Sequence, residues 1–415
     1  MLFPIFMGLL VEVLATAPSA DRPALTLEEA LRRAADAHPA LRAAGHRTEA
    51  AHHRRRDAAR WPNPSLSAEI EDFGGELGSD RSETTLEIGQ SLELGGDRDA
   101  RTGTAEARVD ASTAEAEALR LEILAGTGER FLEAWLLEQR VARLTAAVES
   151  AVAAESAAAA RTRAGAAPAF ERLRIANFRS LREVERQTAA FELASARRRL
   201  ALEWGADALD APALTLDEPA ARAIPDTSQL MSMVAAHPRI QLAAAEVAVA
   251  SWQAREARAA RVPDLALTAG VRHLAEVPGT GFVAGLTMPI PLWSSGAGAA
   301  DAADRERYAA EARAEDQGRR LREAAGASRD LCVATFEAYR RLRDEARPAA
   351  EEAMRQIVAA FRAGRLGYLD LHEGQKSLIE TDFLLMEATA AAWRARLGLE
   401  LLIGTWSGRP GGRDE

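Results

Sequence analysis

Two hydrophobic periods alternate along this chain, and each predicts a different kind of element. After Asp97, apolar residues return in steps of four and three, as at Leu137, Val141 and Leu144. That spacing is typical of a helix in a coiled coil. No proline occurs up to about Arg163, so a single helix of about 100 Å is predicted. A helix of that length does not fit a compact domain, and the pattern therefore predicts a rod or a tube.

Glycine interrupts the helical pattern at two places that share the tripeptide Arg-Ala-Gly, ending at Gly165 and at Gly364. A glycine after the last turn is a common left-handed helix stop. A helix is predicted to restart in the reverse direction after each glycine, and coiled-coil spacing runs from Ile379 to Leu397 after the second. Both sites are therefore predicted to be the tips of helical hairpins.

Alternation by two replaces the helical period in two regions, at about residues 64–94 and 263–291. Leu66, Ala68 and Ile70 alternate with polar residues in the first region, and the second region repeats the pattern. Each region predicts two strands with one apolar and one polar face, joined by a polar loop that contains glycine. Strands of roughly 9 to 11 residues would suit the wall of an outer-membrane barrel, although a soluble sandwich sheet shows the same alternation.

Four strands cannot close a barrel, and an open sheet edge in lipid would leave backbone groups without partners. Several chains would therefore share one barrel. Two chains would supply eight strands and three would supply twelve, both within the range of such barrels. Trp61 and Trp293 fall at the ends of the strand regions, where tryptophan serves either as an interfacial anchor or as a packing residue.

The halves of the chain repeat one another at an offset of 199 positions. Position 165 corresponds to 364, His38 to His237 and Gly205 to Gly404. A fixed offset is the signature of a duplicated unit. The predicted organisation is a signal peptide over 1–20, a first repeat over 21–205 with a strand pair at about 64–94 and a hairpin tip at about 163–170, a linker over 206–227, a second repeat over 228–405 with a strand pair at about 263–291 and a tip at about 362–370, and a tail over 406–415.

Composition and charge exclude several classes of function. A net charge of −10 argues against a protein that binds nucleic acid. Cys332 is the only cysteine, which excludes an internal disulfide and a cysteine-rich zinc site. The first twenty residues combine an apolar run with Ala15, Ala17 and Ala20, as a secretory signal does, although Glu12 interrupts that run.

No catalytic, cofactor or metal motif is found in the sequence. The stretch "HHRRR" at 52–56 contains two histidines, but His46 and His53 would lie about 10 Å apart on a helix. They are predicted to be solvent-exposed. His38 and His237 each precede a proline, which pushes the backbone out of the helical region, so they are predicted to mark bends.

Four longer stretches carry a family likeness. They are "LTLEEALRRAADAHPAL", "EDFGGELGSDRSETTLEIGQSLELGGDRDAR", "RAGAAPAFERLR" and "RAGRLGYLDLHEGQKSL". Together they resemble the TolC-like outer-membrane efflux proteins over residues 25–405. The residues 73–75, 83–86 and 92–96 further resemble the outer-membrane subunit of cobalt-zinc-cadmium resistance pumps, which work with heavy-metal RND transporters.

The resemblance implies a mainly α fold with a small β part. Long coiled-coil hairpins would form a periplasmic tunnel, and four strands per chain would contribute to a shared twelve-stranded transmembrane barrel in a homotrimer. The duct would sit in outer-membrane lipid and passively receive heavy-metal cations from an inner-membrane RND transporter through a periplasmic adaptor. Such a duct is not an enzyme and needs no cofactor. The adaptor would dock at the hairpin tips, on Arg163, Gly165, Arg362, Gly364, Leu366, Gly367 and Leu369.

Two further sets of residues receive candidate roles. Asp370 and Glu373 share one helix face just beyond the second tip, and in a trimer they would place a ring of carboxylates at the entrance, which would favour cations. A solvated helix face explains the same pair. Gly95 and Gly96 are predicted to form the junction between strand and helix.

Two alternative functions stay open. The same duct could export drugs or a secreted protein instead of metal ions. A coiled-coil scaffold without a channel would explain the heptads, but it would explain neither the strands nor the duplication.

Overall fold

The computed structural model describes residues 23–72, 82–165, 168–219, 224–276, 279–363 and 365–404. The predicted signal peptide, the tail, the loop at 73–81 and Gly364 lie outside these residues. In the first half the elements are β1 (Leu25–Thr26), α1 (Leu27–Ala37), α2 (Pro39–Ala58), β2 (Ser65–Glu71), β3 (Glu83–Leu92), α3 (Asp97–Arg163) and α4 (Ala169–Ala201). In the second half they are β4 (Leu214–Thr215), α5 (Thr227–Ala235), α6 (Pro238–Ala259), β5 (Leu265–Leu274), β6 (Gly279–Thr287), α7 (Ala297–Arg341), α8 (Arg347–Arg362) and α9 (Tyr368–Leu402).

The prediction of a mainly helical chain with a small β part is confirmed. The strands β3, β5 and β6 have nine or ten residues, whereas β2 has seven and is shorter than predicted. A parallel pair formed by β1 and β4 was not predicted. Two residues are too few to show an alternating pattern.

The described residues form two compact units. The first contains residues 23–36, 126–219 and 335–394, and the second contains residues 37–125, 224–334 and 395–404. The unit boundaries at 125/126, 334/335 and 394/395 fall within the residue ranges of α3, α7 and α9.

In the first unit, the linker between the repeats is bound to helices. The backbone N–H of Leu214 donates to Glu138 at 3.0 Å, and the indole N–H of Trp393 donates to the carbonyl of Asp217 at 2.8 Å. Arg33 donates to Asp210 at 3.0 Å. The linker, predicted to be irregular, therefore has its backbone and acidic side chains anchored on α1, α3 and α9.

A π-helical turn at Leu342–Ala346 separates α7 from α8. The N–H of Arg347 bonds to the carbonyl of Leu342, one residue further back than in an α-helix. Pro348 lies in the first turn of α8. Because proline has no backbone N–H, a regular α-helix running through this position would lack one of its hydrogen bonds. Pro348 was the available sequence signal for this interruption, which the sequence analysis did not predict.

In the second unit, a core cluster joins helices from both ends of the repeat. Leu230 and Val234 of α5 pack with Leu321 and Ala325 of α7 and with Leu399 of α9. All five side chains are at most 4% exposed. Burial of these apolar side chains is the main stabilising term that this region of the unit provides.

His38 and His237 begin helices, which explains why each precedes a proline. Nδ1 of His38 accepts the N–H of Ala40 at 3.1 Å, and Nδ1 of His237 accepts the N–H of Arg239 at the same distance. The proline that follows each histidine is the first helical residue. It has no N–H that would need an acceptor, and its fixed φ is suitable for a helix. The predicted bends are thus helix N-caps.

The junctions between strand and helix depend on glycine in both halves. Gly96 precedes α3 with φ of +82°, and Gly296 precedes α7 with φ of +69°. A Cβ on the neighbouring Gly95 would lie 2.2 Å from the carbonyl oxygen of Ala259. The chain therefore turns through a left-handed residue while its backbone passes close to the end of α6.

Arg101 connects the first junction to the end of α2. Its guanidinium donates to the carbonyls of Ala58 at 3.0 Å and Arg60 at 3.2 Å. It also pairs with Glu93, which follows β3, and this carboxylate raises the pKa of Arg101. Arg101 thereby satisfies the last carbonyl of α2, which has no partner within the helix, and the carbonyl of Arg60 just beyond it.

Replacing Gly95 tests the close approach at this junction. Gly95→Ala is expected to lower the free energy of unfolding by about 1 to 3 kcal/mol, because the new Cβ would overlap a backbone oxygen that cannot easily move. The matched control is Gly45→Ala within α2, where a Cβ meets nothing within 4 Å and up to about 1 kcal/mol of stabilisation is expected. The free energy of unfolding of each variant is measured by urea titration in detergent, with tryptophan fluorescence as the signal. Equal unfolding midpoints for the two variants would contradict the assignment.

Burial of His237 predicts a specific pH dependence of stability. The ring is 5% exposed. Its Nδ1 accepts the N–H of Arg239, and the ring also bonds to the carbonyl of Leu401, so both nitrogens have partners. Burial, and then the charge of Arg239, lower its pKa below the usual value of 6.5. Because the unfolded chain takes up this proton first, stability is expected to fall as the pH drops below about 6.5.

The variant His237→Asn keeps an oxygen that can accept the N–H of Arg239 but does not titrate. Its thermal midpoint is expected to be lower than that of the parent at pH 8 and to change less between pH 7 and pH 5. Parallel pH profiles for the parent and the variant would show that His237 does not carry the effect.

Candidate functional site

The four-stranded sheet of the second unit presents one apolar face. Its strand order is β2-β3-β5-β6, with antiparallel neighbours throughout. Leu86 lies opposite Val271, which lies opposite Phe282, so large apolar side chains form rows across the strands. These side chains are exposed, up to 95% for Phe282. The exposed apolar members of this face are Leu66, Ile70, Leu86, Ile88, Leu267, Val271, Phe282 and Leu286.

The opposite face is polar and acidic. It carries Glu69, Glu71, Glu83 and Glu87, against the single basic residue Arg272. Arg272 pairs with Glu83 at 3.0 Å and donates to the hydroxyl of Thr85 at 3.1 Å. Three of the four glutamates are thus left without a basic residue on this face of the described sheet.

The polar face is also the more crowded one. A Cβ on Gly270 would lie 2.3 Å from the carbonyl oxygen of Leu86, and a Cβ on Gly285 would lie 2.5 Å from the hydroxyl of Thr268. Glycines at such positions permit a sheet to curve toward that face. The acidic face therefore has glycine at two positions where a larger side chain would meet the neighbouring strand.

The two edges of the sheet are open within the described residues. There β2 pairs only with β3, and β6 pairs only with β5. Each edge presents backbone N–H and C=O groups that a further strand would satisfy. The edges run in opposite directions, since three antiparallel steps separate them.

The tryptophans at the margins of this region differ in their surroundings. Trp293 is 95% exposed. Trp61 is 55% exposed, and the guanidinium of Arg98 lies 5.1 Å from its ring centroid. Trp61 thus has a cation–π contact, and the interfacial role of both residues stays a prediction.

The first predicted tip lies between α3 and α4. Gly165 has φ of +71°, and its N–H donates to the carbonyl of Thr162 at 3.0 Å. The side chain of Arg163 is exposed and bonds back to the carbonyl of Ala159. Pro168 then precedes α4.

The second predicted tip lies between α8 and α9. Arg362 is the last residue of α8, and the N–H of Arg365 donates to the carbonyl of Ala360 at 2.9 Å. Leu366 is half-buried, Leu369 is 52% exposed, and Gly367 immediately precedes α9. Both tips therefore expose an apolar side chain, since Phe170 at the first tip is 61% exposed.

The candidate acidic pair has a local structural role as well. The carboxylate of Asp370 accepts the N–H of Gly367 at 3.0 Å, which caps the start of α9. Asp370 and Glu373 are both exposed. Asp370 thus holds the tip conformation, while Glu373 extends into solvent.

Two contacts between the hairpins were missed by the sequence analysis. His372 of α9 packs edge-on against Phe178 of α4, with ring centroids 4.7 Å apart, and its burial lowers its pKa. Asp382 of α9 bonds to Arg347 at 3.0 Å and to Arg143 of α3 at 3.2 Å. The only sequence signal for these contacts was the presence of His372 and Asp382 among the apolar residues of α9. The sequence does not show which side chains they contact.

Neither a metal site nor a membrane helix is found among the described residues. No three His, Cys, Asp or Glu side chains there come together in a way that could hold an ion. His46 lies beside Glu49 and His53 beside Arg56, both pairs being exposed on α2. None of the described helices has an apolar stretch long enough to cross a bilayer.

Comparison with known proteins places this geometry among efflux channels. Residues 231–405 match the model of the outer membrane efflux protein family. The cobalt-zinc-cadmium resistance protein CzcC of Cupriavidus metallidurans is 27% identical over 385 residues, which cover 92% of this chain and 90% of CzcC. The resemblance stated from the sequence motifs is confirmed.

Solved structures share the fold across the whole length. CusC superimposes with a TM-score of 0.77 at 15% identity, covering 91% of each chain. The open-state outer membrane channel MtrE of Neisseria gonorrhoeae gives 0.77 at 18% identity, covering 91% of this chain and 88% of MtrE. The outer-membrane channel OprN gives 0.75 at 18% identity, covering 91% and 89%. This chain therefore has the fold of the outer-membrane efflux channels, and its second half matches the outer membrane efflux protein family in sequence.

Proposed function

We propose that this chain is the outer-membrane exit duct of a tripartite efflux system and that it passively conducts heavy-metal cations. An inner-membrane RND transporter supplies the energy, and a periplasmic adaptor passes the cargo on. The cargo assignment is supported by the relative named for cobalt, zinc and cadmium resistance.

The observation that carries the proposal is the sheet with one exposed apolar face, one acidic face and two open edges. Lipid suits the apolar face, because an apolar surface of this size is costly in water. Water and cations suit the acidic face. Neither a soluble sheet nor a scaffold requires this combination.

The open edges call for further copies of the chain. Pairing β6 of one copy with β2 of the next preserves the antiparallel alternation, and three copies then close twelve strands, an ordinary size for such a barrel. We take three copies because the family that the sequence resembles forms homotrimers. The long helices of the three copies line the periplasmic tunnel.

The hairpin tips are the proposed adaptor contact. Arg163 and Gly165 would take part at the first tip, and Arg362, Gly364, Leu366, Gly367 and Leu369 at the second. The exposed Leu369 and half-buried Leu366 support this role, because a docking protein can bury apolar side chains that water leaves uncovered. Asp370 and Glu373 would then form the carboxylate ring at the entrance.

Fractionation and metal resistance test the duct. Full-length protein expressed in a diderm bacterium is expected in the outer membrane, and on an unheated gel in mild detergent it should migrate at three times the mass of the heat-denatured chain. Deleting the gene in its host is expected to lower resistance to cobalt, zinc or cadmium several-fold. A soluble monomer would refute the duct, and sensitivity to drugs with unchanged metal resistance would move the cargo to drugs.

Neutralising the acidic pair tests the entrance ring. Asp370→Asn with Glu373→Gln is expected to reduce cation preference in single-channel recordings, because the ring loses its charge while the asparagine still accepts the N–H of Gly367. Asp370→Ala with Glu373→Gln removes the cap as well and controls for the tip conformation. Unchanged cation preference in the first variant would leave the pair as a solvated helix face.

A further inference from the structure

The four strands of the sheet in the second unit connect to their helices at one end, which we call the helix end of the sheet. Leu92, where β3 ends, pairs with Leu265, where β5 begins, and Ala266 pairs with Thr287, where β6 ends. The strand β2 also begins at this end. The segments that join the strands to the helices there carry several exposed apolar side chains, namely Trp61, Leu94, Val262, Met288, Ile290, Leu292 and Trp293.

These apolar side chains continue the apolar face of the sheet. Leu66 and Leu286 of that face each lie one residue from a strand terminus at the helix end, and both are exposed. In the proposed duct this face lies in lipid, so the joining segments lie where acyl chains give way to headgroups. Exposed tryptophan, as at Trp61 and Trp293, is typical of that level of a membrane protein.

Two arginines at the helix end are held in the same way. Nε of Arg98 donates to the carbonyl of Ala59 at 2.7 Å, and Nε of Arg261 donates to the carbonyl of Ser295 at 3.2 Å. Both arginines are exposed. Each hydrogen bond orients the plane of the guanidinium and leaves its two terminal nitrogens for another acceptor.

Neither Arg98 nor Arg261 has a carboxylate partner among the described residues. The carboxylates of this region interact with other arginines: Glu93, Asp97 and Asp264 with Arg101, Asp57 with Arg60, and Asp304 with Arg258. The two anchored guanidinium groups therefore keep their charge available for an anion from outside the chain.

A phosphate group of a lipid fits what these arginines offer. The terminal nitrogens of a guanidinium form a fork that matches two phosphate oxygens. Apolar side chains lie beside both forks, since the guanidinium of Arg98 lies 5.1 Å from the ring centroid of Trp61 and exposed Val262 directly follows Arg261. A free phosphate ion gains nothing from such neighbours, whereas the acyl chains of a lipid do.

We infer that Arg98 and Arg261 bind the headgroups of anionic phospholipids in the leaflet on the helix side of the membrane. This inference rests on the proposed function, in which the sheet lies in lipid. A zwitterionic headgroup carries its own cation beside the phosphate, and this cation would be repelled by a guanidinium. The chain as a whole has a net charge of −10, so an anionic leaflet would repel it without a local group of cations at the headgroup level.

Native mass spectrometry of the delipidated full-length oligomer in mild detergent tests the lipid preference. Palmitoyl-oleoyl-phosphatidylglycerol, which is anionic, and palmitoyl-oleoyl-phosphatidylcholine, which is zwitterionic, are titrated separately. The test variant is Arg98→Gln with Arg261→Gln. The matched control is Arg313→Gln, which removes an exposed arginine of α7 about 24 Å along that helix from its first residue.

The parent oligomer is expected to bind phosphatidylglycerol several-fold more tightly than phosphatidylcholine. One arginine near an anionic lipid surface contributes a factor of about five in affinity, so the double variant should lose most of this preference. Arg98→Lys with Arg261→Lys keeps the charge and should retain part of it, and Arg313→Gln should behave like the parent. Where the double variant fails to assemble, each single replacement by glutamine should weaken phosphatidylglycerol binding about fivefold.

The results that would overturn the inference differ in what they say about the duct. If the oligomer forms in the membrane but binds both lipids equally, or if the glutamine variants keep the preference of the parent, Arg98 and Arg261 do not recognise anionic lipid, and the proposed duct is unaffected. If the parent chain is a soluble monomer, the sheet does not lie in lipid, and the inference and the duct fail together.

Discussion

Backbone hydrogen bonding in an apolar environment is the constraint on which the rest of this protein depends. The sheet has an exposed apolar face, yet both of its edge strands have unused donors and acceptors within the described chain. Lipid can cover the face but cannot bond to the edges. Only another strand can bond to the edges, and in the proposed duct a second copy provides one in the correct direction.

The helical hairpins also leave groups uncovered, in this case apolar side chains. Helix α4 buries Ile175 and Leu200 against its own chain and leaves Val184 and Phe191 exposed. Charged contacts within the first unit help to fix which helices lie side by side. Asp382 accepts from arginines of α3 and α8, with 13% of its side chain exposed, so its removal would leave two arginines without their shared partner. A half-buried pair of this kind specifies which helices lie together more than it adds stability.

Conduction in the proposed duct requires no chemistry from individual residues. The sheet's acidic face has three glutamates without a basic partner on that face within the described residues, which favours cations over anions by charge alone. Such a surface attracts cobalt, zinc and cadmium ions alike. In the proposed system, selection between them is expected of the transporter that loads the duct.

Local backbone demands were readable from the sequence alone. The two hydrophobic periods indicated helices and strands, and glycines at positions 95, 96 and 165 marked places where the chain must turn. The duplication was visible because the same demands recur at a constant offset. These features depend on neighbours within a few residues, and the sequence states them directly.

Contacts between distant segments were decided only by the tertiary structure. The pairing of β3 with β5, the reach of Arg101 to the end of α2, and the partners of Asp382 each join residues far apart in the chain. The sequence did not show which apolar side chains of α4 the chain would cover itself. Periodicity describes a surface, whereas burial depends on what packs against it.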